Sequence, residues 1–481
     1  MKCGVFLGAI CVRLFIMSAA SGLTYFEQHF LFSNKFFQCT MGLRPYQSSN
    51  DLLVQVCSAG LYGFPIIAHQ VNFYQLAISV VPLATTIKVL QYMFAAICFF
   101  YTYSNYYSNY LQMKSIISHI KFDYEHMSNK YEFDITEKYT KESKLYTFSI
   151  LGTGIKYYTK IGIHTTTIKF LYLCFFVVVF NLYFLATITP CFLSIFSYQF
   201  GTLANVNLSL PIPINYVLNL GPIYYSLLIY QATGIYMSIS IAIICFSTYL
   251  VFINHACCQL SVIRLKIGHP FVKPQKFKQI MDEFDWIVDV IQCHERILRY
   301  ITLLNTVSKR VYLFEIFFIM LFIILDFLFI FQVSSVRENI IQIIECSSYI
   351  ACSIFVTFVN FYVGQTLINH SVEARDELCK IPFYNLSIRV QKLLLFMLMR
   401  WSKPCVLSIG DIFVSSHEAF VVVSGKRYII DIKSPYLKEE SFILVIAKSI
   451  LFRIGVPQYT LTLPYLYISV MYYYHHYLTI F

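Results

Sequence analysis

Apolar runs of bilayer-crossing length, set apart by charged segments, organise this chain. A hydrocarbon core about 30 Å thick takes roughly 20 helical residues at about 1.5 Å each. Six runs meet or approach that length: 52–71, 76–103, 171–196, 227–254, 311–332 and 340–368. A weaker seventh run begins near Val406, and the uncharged stretch 459–481 is also long enough to span. Between spans four and five, residues 277–310 alternate acidic, basic and apolar positions (Asp282, Phe284, Ile287, Val290, Ile291, His294, Leu298). That spacing predicts one long amphipathic helix continuing from the membrane into water. The fold class expected is an all-α polytopic membrane bundle.

Composition agrees with the pattern. Hydrophobic residues make up 58% of the 481 and charged residues only 13%, about half the charged share of a soluble domain. With 17 glycines and 14 prolines, collagen-like and disordered chains are excluded. The net charge of +11 forms no arginine-rich patch, so nucleic acid is not an expected partner. Most of the 15 cysteines lie inside apolar runs, without CxxC or Cys/His spacing. They read as buried thiols acting as small hydrophobes, and no metal or cofactor is expected.

Charge placement sets the orientation. With a cytoplasmic amino terminus, segments 1–51, 104–170, 255–310 and 369–403 share one side and hold 28 basic residues. The opposite side holds one, Arg337, and its loop 197–226 carries no charge. The positive-inside rule therefore puts the amino terminus in the cytoplasm, opposite in sense to G-protein-coupled receptors. Residues 1–20 have signal-like features, but Arg13 interrupts their apolar stretch and cleavage would oppose the charge balance. Residues 1–24 read as a non-native extension or a short cytoplasmic helix. Asn207-Leu-Ser209 is a glycosylation sequon on the non-cytoplasmic side.

Polar residues inside spans usually face protein rather than lipid. Span three shows Tyr183, Thr187, Cys191 and Ser194 at helical steps; span four shows Tyr230, Thr233, Met237 and Ser240. Span six shows Cys346, Tyr349, Ser353, Thr357 and Asn360. Three such stripes either enclose a pocket for a small, mostly apolar molecule or form helix–helix contacts. Glu315 and Asp326, eleven residues apart in span five, share a face and either line a polar route or pair within the bundle. Lys88 is placed to snorkel. No Walker loop, GxSxG, HExxH or paired-carboxylate cluster occurs, so no catalytic residue is expected and the chain does not read as an enzyme.

From Phe361 onward, the sequence FYVGQTLINHSVEARDELCKIPFYNLSIRVQKLLLFMLMRWSKPCVLSIGDIFVSSHEAF resembles the insect odorant receptor family. The likeness rests on Gly364, His370-Ser371, Tyr384, Gln391-Lys392-Leu393, Met399-Arg400, Lys403-Pro404, Gly410 and Glu418. Weaker likeness runs through His255-Ala256-Cys257, KLYTFSI and MGLRPYQSS, so about residues 25–420 are covered. The resemblance implies seven transmembrane helices of inverted topology in the plasma membrane of a sensory neuron. It implies one subunit of a heterotetrameric, ligand-gated, nonselective cation channel assembled with the family's shared co-receptor. It also implies small volatile ligands held by helices two, three, four and six, hence by Tyr183, Thr187, Cys191, Tyr230, Thr233, Met237, Tyr349 and Ser353. Cytoplasmic extensions of helices four to six, with about 382–399, would form an anchor in the region 369–423.

The chain then departs from the family pattern. The pore-lining second half of helix seven should begin near Ile412, yet after Val423 the sequence runs into SGKRYIIDIKSPYLKEE. Lys426, Arg427 and Asp431 are costly inside a bilayer, and Pro435 would break a helix. Residues from about Ser424 to Phe481 read as an atypical, read-through tail, and 151–169 as a similar interruption. Two alternatives stay open: a gustatory receptor of the same superfamily, whose hallmark lies in the missing final helix, and a multi-pass transporter, for which no internal repeat is found.

Overall fold

The computed structural model describes residues 83–127, 130–150, 222–268, 283–332 and 340–424. The expected spans 52–71 and 171–196, residues 1–24, the Asn207 sequon and the tail beyond Ser424 lie outside them.

The apolar runs become helices longer than the runs themselves. They are α1 (Leu83–Ser108), α2 (Tyr110–Glu125), α3 (Lys130–Ile150), α4 (Pro222–Gly268), α5 (Glu283–Gln332) and α6 (Ile340–Cys379). A 3₁₀ turn (Phe383–Asn385) leads to α7 (Ile388–Trp401), strands β1 (Ser408–Ile409) and β2 (Phe413–Val414), and α8 (His417–Ser424). Four of these helices, α1, α4, α5 and α6, are long and apolar enough to cross a membrane. The 50 residues of α5 rise about 75 Å, more than twice a bilayer core. It therefore carries the amphipathic segment and span five as one rod, and its first half stands beyond the apolar layer.

That projecting half organises a second layer at the charged end of the bundle. The largest core joins α2, the ends of α4 and α6, the first half of α5, and α7. Its centre is closely enclosed: Ile116, Ile120, Ile287, Val290 and Phe361 are at most 1% exposed. Helix α7 inserts Val390, Leu394, Met397 and Trp401, a stripe at four-, three- and four-residue steps. Trp401 Nε1 donates to His294 Nε2 on α5. Across this layer Tyr139 OH on α3 meets Ser261 Oγ on α4 and His370 Nε2 on α6, both at 2.8 Å. Asp123 on α2 pairs with His255 at 3.0 Å and Arg296 at 3.3 Å.

The segment expected to start the final helix near Ile412 is instead a small hairpin. Strands β1 and β2 pair antiparallel, Ser408 with Val414 and Ile409 with Phe413. Gly410 and Asp411, with φ of 62° and 60°, take the left-handed conformation that no helix continues. The hairpin's polar backbone is absorbed by α5: Asn305 Nδ2 donates to Val406 O at 3.0 Å, and Ser408 N donates to Asn305 Oδ1 at 2.9 Å. The last described helix therefore starts only at His417.

Candidate functional site

Where α1, α4, α5 and α6 run side by side, they leave a cavity of about 210 Å³. The α5 wall is a regular stripe: Ser308, Tyr312, Glu315, Ile319, Phe322 and Asp326 all line it. Steps of four and three keep them on one face, and eleven residues separate the two acids by about 16 Å along the axis. Helix α1 contributes Gln91, Cys98 and Thr102; α4 contributes Cys245 and Tyr249. Helix α6 contributes Tyr349, Cys352, Ser353 and Val356.

Most of the wall is hydrocarbon, and several of its polar groups are satisfied within the protein. Thr102 donates to Cys98 O at 2.9 Å and Tyr106 to Cys245 O at 2.9 Å. Thr357, behind the wall, donates to Ser353 O at 2.8 Å. One end is different. There Gln91 Nε2 donates to Asp326 Oδ1 at 2.6 Å, and Tyr349 OH to Glu345 Oε1 at 2.8 Å. Lys88, expected to snorkel, instead reaches Glu345 Oε2 at 3.1 Å, with Phe329 as a cation–π neighbour at 5.2 Å. Turning inward gives the ammonium an anion, which lipid does not offer. Small apolar molecules suit such an enclosure: apolar area removed from water is worth about 25 cal/mol per Å², and few polar groups constrain orientation.

Of the ligand residues expected from sequence, Tyr349 and Ser353 line the cavity. Tyr230 is partly buried higher on α4 and does not line it. Thr233 and Met237 fall on the α4 backbone, but their side chains lie outside the described ones, as do Tyr183, Thr187 and Cys191 entirely. The α5 contribution goes beyond the expected helices. Glu315 and Asp326 already marked one face of it, and extending that face by three- and four-residue steps would have found Tyr312, Ile319 and Phe322.

The anchor-motif residues occupy turns and junctions around α7. Tyr384 is 73% exposed, and Lys392, Lys403, Pro404 and Glu418 are exposed as well. Gln391 Nε2 donates to Leu386 O at 2.8 Å, tying the 3₁₀ turn to α7, while Leu393 packs on the core. Ser371 Oγ accepts from Cys405 N at 3.0 Å. Gly410 N donates to Lys309 O at 2.9 Å, and a Cβ there would lie 2.5 Å from Leu313 Cδ2. A Cβ at Gly364 would collide with Ser415, which donates to Asn360 O at 2.9 Å. These two glycines let the hairpin seat directly on α5 and α6. Beside it Lys309 Nζ lies 2.6 Å from Asp411 Oδ2, and that hydrogen bond holds the Asp411 carboxyl below the usual carboxylate range.

The arrangement has solved counterparts. The insect olfactory receptor OR5 from Machilis hrabei in complex with eugenol superposes with a TM-score of 0.61 at 12% identity, covering 82% of this chain and 95% of that one. A second structure of OR5 from Machilis hrabei gives 0.57 at 11% identity, covering 80% and 93%. At such identity the likeness is one of fold. No curated protein matches. Residues 156–424, more than half of the chain, match the family described as 7tm Odorant receptor. The chain therefore belongs to the 7tm odorant receptor family.

Proposed function

We propose that this chain is the ligand-binding subunit of an odorant-gated, nonselective cation channel, assembled as a heterotetramer with the family's co-receptor. The observation that carries the reading is the largely apolar cavity enclosed by α1, α4, α5 and α6 within an odorant receptor fold. A small volatile molecule entering it contacts four long helices at once. Three of them, α4, α5 and α6, continue into the charged-end layer, so occupancy has a rigid path to the assembly surface. The subunit sits in the plasma membrane with a cytoplasmic amino terminus, a sense supported by the 28-to-1 division of basic residues. Assembly is supported by α7, which leaves Ile388, Leu395, Phe396 and Met399 between 60% and 72% exposed. An apolar stripe of that kind on a helix end beyond the bilayer marks a protein contact.

The test is co-expression of the full chain with the co-receptor in a cell otherwise silent to odorants, with current recorded against a panel of small volatiles. An inward current is expected, and Ser353→Phe, which fills the cavity, should abolish it without lowering surface expression. A current that ignores Ser353→Phe would remove the cavity from the reading. If the full chain is silent, replacing the residues after Ser424 by a family-type final helix should restore current, because Lys426, Arg427 and Asp431 do not suit a pore-lining span.

A further inference from the structure

Four acidic or basic side chains lie in the spans α1, α4, α5 and α6 between residues 83–103, 227–254, 311–332 and 340–368: Lys88, Glu315, Asp326 and Glu345. Lys88 is matched by Glu345 at 3.1 Å. The remaining two acids both line the cavity, and neither meets a lysine, arginine or histidine among the described residues. Asp326 is engaged by Gln91 at 2.6 Å. At Glu315 the approaching group is the side chain of Asn360 on α6, which carries no charge. A second group at this end also faces the cavity. Tyr312 is 6% exposed and lines the same wall, yet its hydroxyl has no hydrogen-bond partner among the described residues. Three residues apart on α5, Tyr312 and Glu315 share a face. The Tyr312 ring stands edge-on to Tyr249 at 4.5 Å, so an aromatic surface adjoins both.

We propose that the Glu315–Tyr312 end of the cavity selects ligands carrying a basic nitrogen, namely small hydrophobic primary amines. The proposal rests on the cavity being the ligand site. A carboxylate in an apolar enclosure is costly unless paired, and an ammonium group removes that cost where a hydrocarbon or ester does not. The proton count is neutral either way: a protonated amine meets the carboxylate, or a neutral amine takes the proton of the carboxylic acid, giving the same pair. An ammonium has three N–H donors and no acceptor. Glu315 accepts one, the Tyr312 oxygen a second, and the neighbouring tyrosine faces offer a cation–π contact. The apolar remainder of the ligand then lies toward Ile319 and Phe322, which continue the stripe.

The discriminating probes are phenethylamine and propylbenzene, equal in shape and differing only in the amine. Apparent affinities are read from ligand-dependent thermal stabilisation of the purified full-length chain. Wild type should bind phenethylamine at least tenfold tighter than propylbenzene. Glu315→Gln should bring the two within about twofold of each other, and Tyr312→Phe should weaken phenethylamine alone by several-fold. Equal binding of the pair by wild type, or a preference that survives Glu315→Gln, overturns the amine site while leaving the cavity reading intact. Binding of neither probe counts against the cavity as a ligand site, and against this inference with it. If Glu315→Gln does not yield folded protein, Glu315→Asp replaces it. Retracting the carboxylate by one methylene should cut the amine preference several-fold, and an unchanged preference overturns the proposal.

Discussion

Single residues at the hairpin show how little tolerance the seat on α5 has. Gly410 combines a φ of 62° with a neighbour 2.5 Å from where a Cβ would stand. Gly410→Ala therefore adds a left-handed penalty of about 1–2 kcal/mol to an overpacking cost of similar size. Thermal unfolding of the variant should show a loss of about 2–4 kcal/mol. Asp411 sits at a φ of 60° too, but it faces solvent and pairs with Lys309. Asp411→Gly should thus be close to neutral, relief of backbone strain offsetting an exposed ion pair of small worth. The same pair has a pH signature. The Lys309 hydrogen bond lowers the Asp411 carboxyl relative to its ordinary value of 3.8. Its contribution is present above that value and is lost as pH falls through the lowered one. Asp411→Asn should therefore flatten stability-versus-pH curves below about pH 4, while at neutral pH it removes the pair's small contribution without changing the slope.

At the scale of elements, the long helices were legible because apolar runs and amphipathic periodicity are local signals. Residues 311–332 announced a span, and Asp282 to Leu298 announced a water-exposed amphipathic continuation; α5 is both in one rod. The hairpin was not legible. Val406 to Val423 is apolar enough to read as a span, and only the partners supplied from about a hundred residues away, Asn305 and Lys309, turn it into strands. The cavity was half legible for a related reason. Tyr349 and Ser353 stood out as polar residues in a span, whereas Phe322 and Ile319 look like lipid-facing residues until the packing of α5 is known. Lys88 marks the same limit, since its partner Glu345 lies 257 positions away. The Lys88–Glu345 link between α1 and α6 is testable as a unit. Their side chains are 19% and 7% exposed, so removing one partner leaves a charge stranded in an apolar setting. Lys88→Met and Glu345→Met should each destabilise by about 3–5 kcal/mol, while the double variant Lys88→Met with Glu345→Met should recover most of the loss. Chemical denaturation of the four proteins closes the cycle, and additive losses would show that the two side chains do not act as a pair.

For the whole molecule, the decisive feature is that one bundle has two environments and one set of helices serves both. In the apolar layer α1 turns much of its surface outward, with Ile97 and Phe100 exposed by 45% and 51%, as a lipid-facing helix should. At the charged end α4 is enclosed, with Ala256, Cys258, Leu260 and Ile263 at most 1% exposed. An apolar stripe left uncovered on α7 suits the proposed assembly of the subunit through its charged-end layer. The stripe on α7 does not contribute to the subunit's own core, which uses Val390, Leu394, Met397 and Trp401 on the opposite side. Replacing Leu395 and Phe396 together by glutamate should therefore leave the helix content and unfolding temperature of the isolated chain nearly unchanged. If the subunit assembles with the co-receptor as proposed, the same change should shift the co-expressed complex to smaller species on size-exclusion chromatography with light scattering. A loss of folded monomer would instead place those two side chains in the subunit's own packing, and an unchanged complex would mean that assembly runs through another surface.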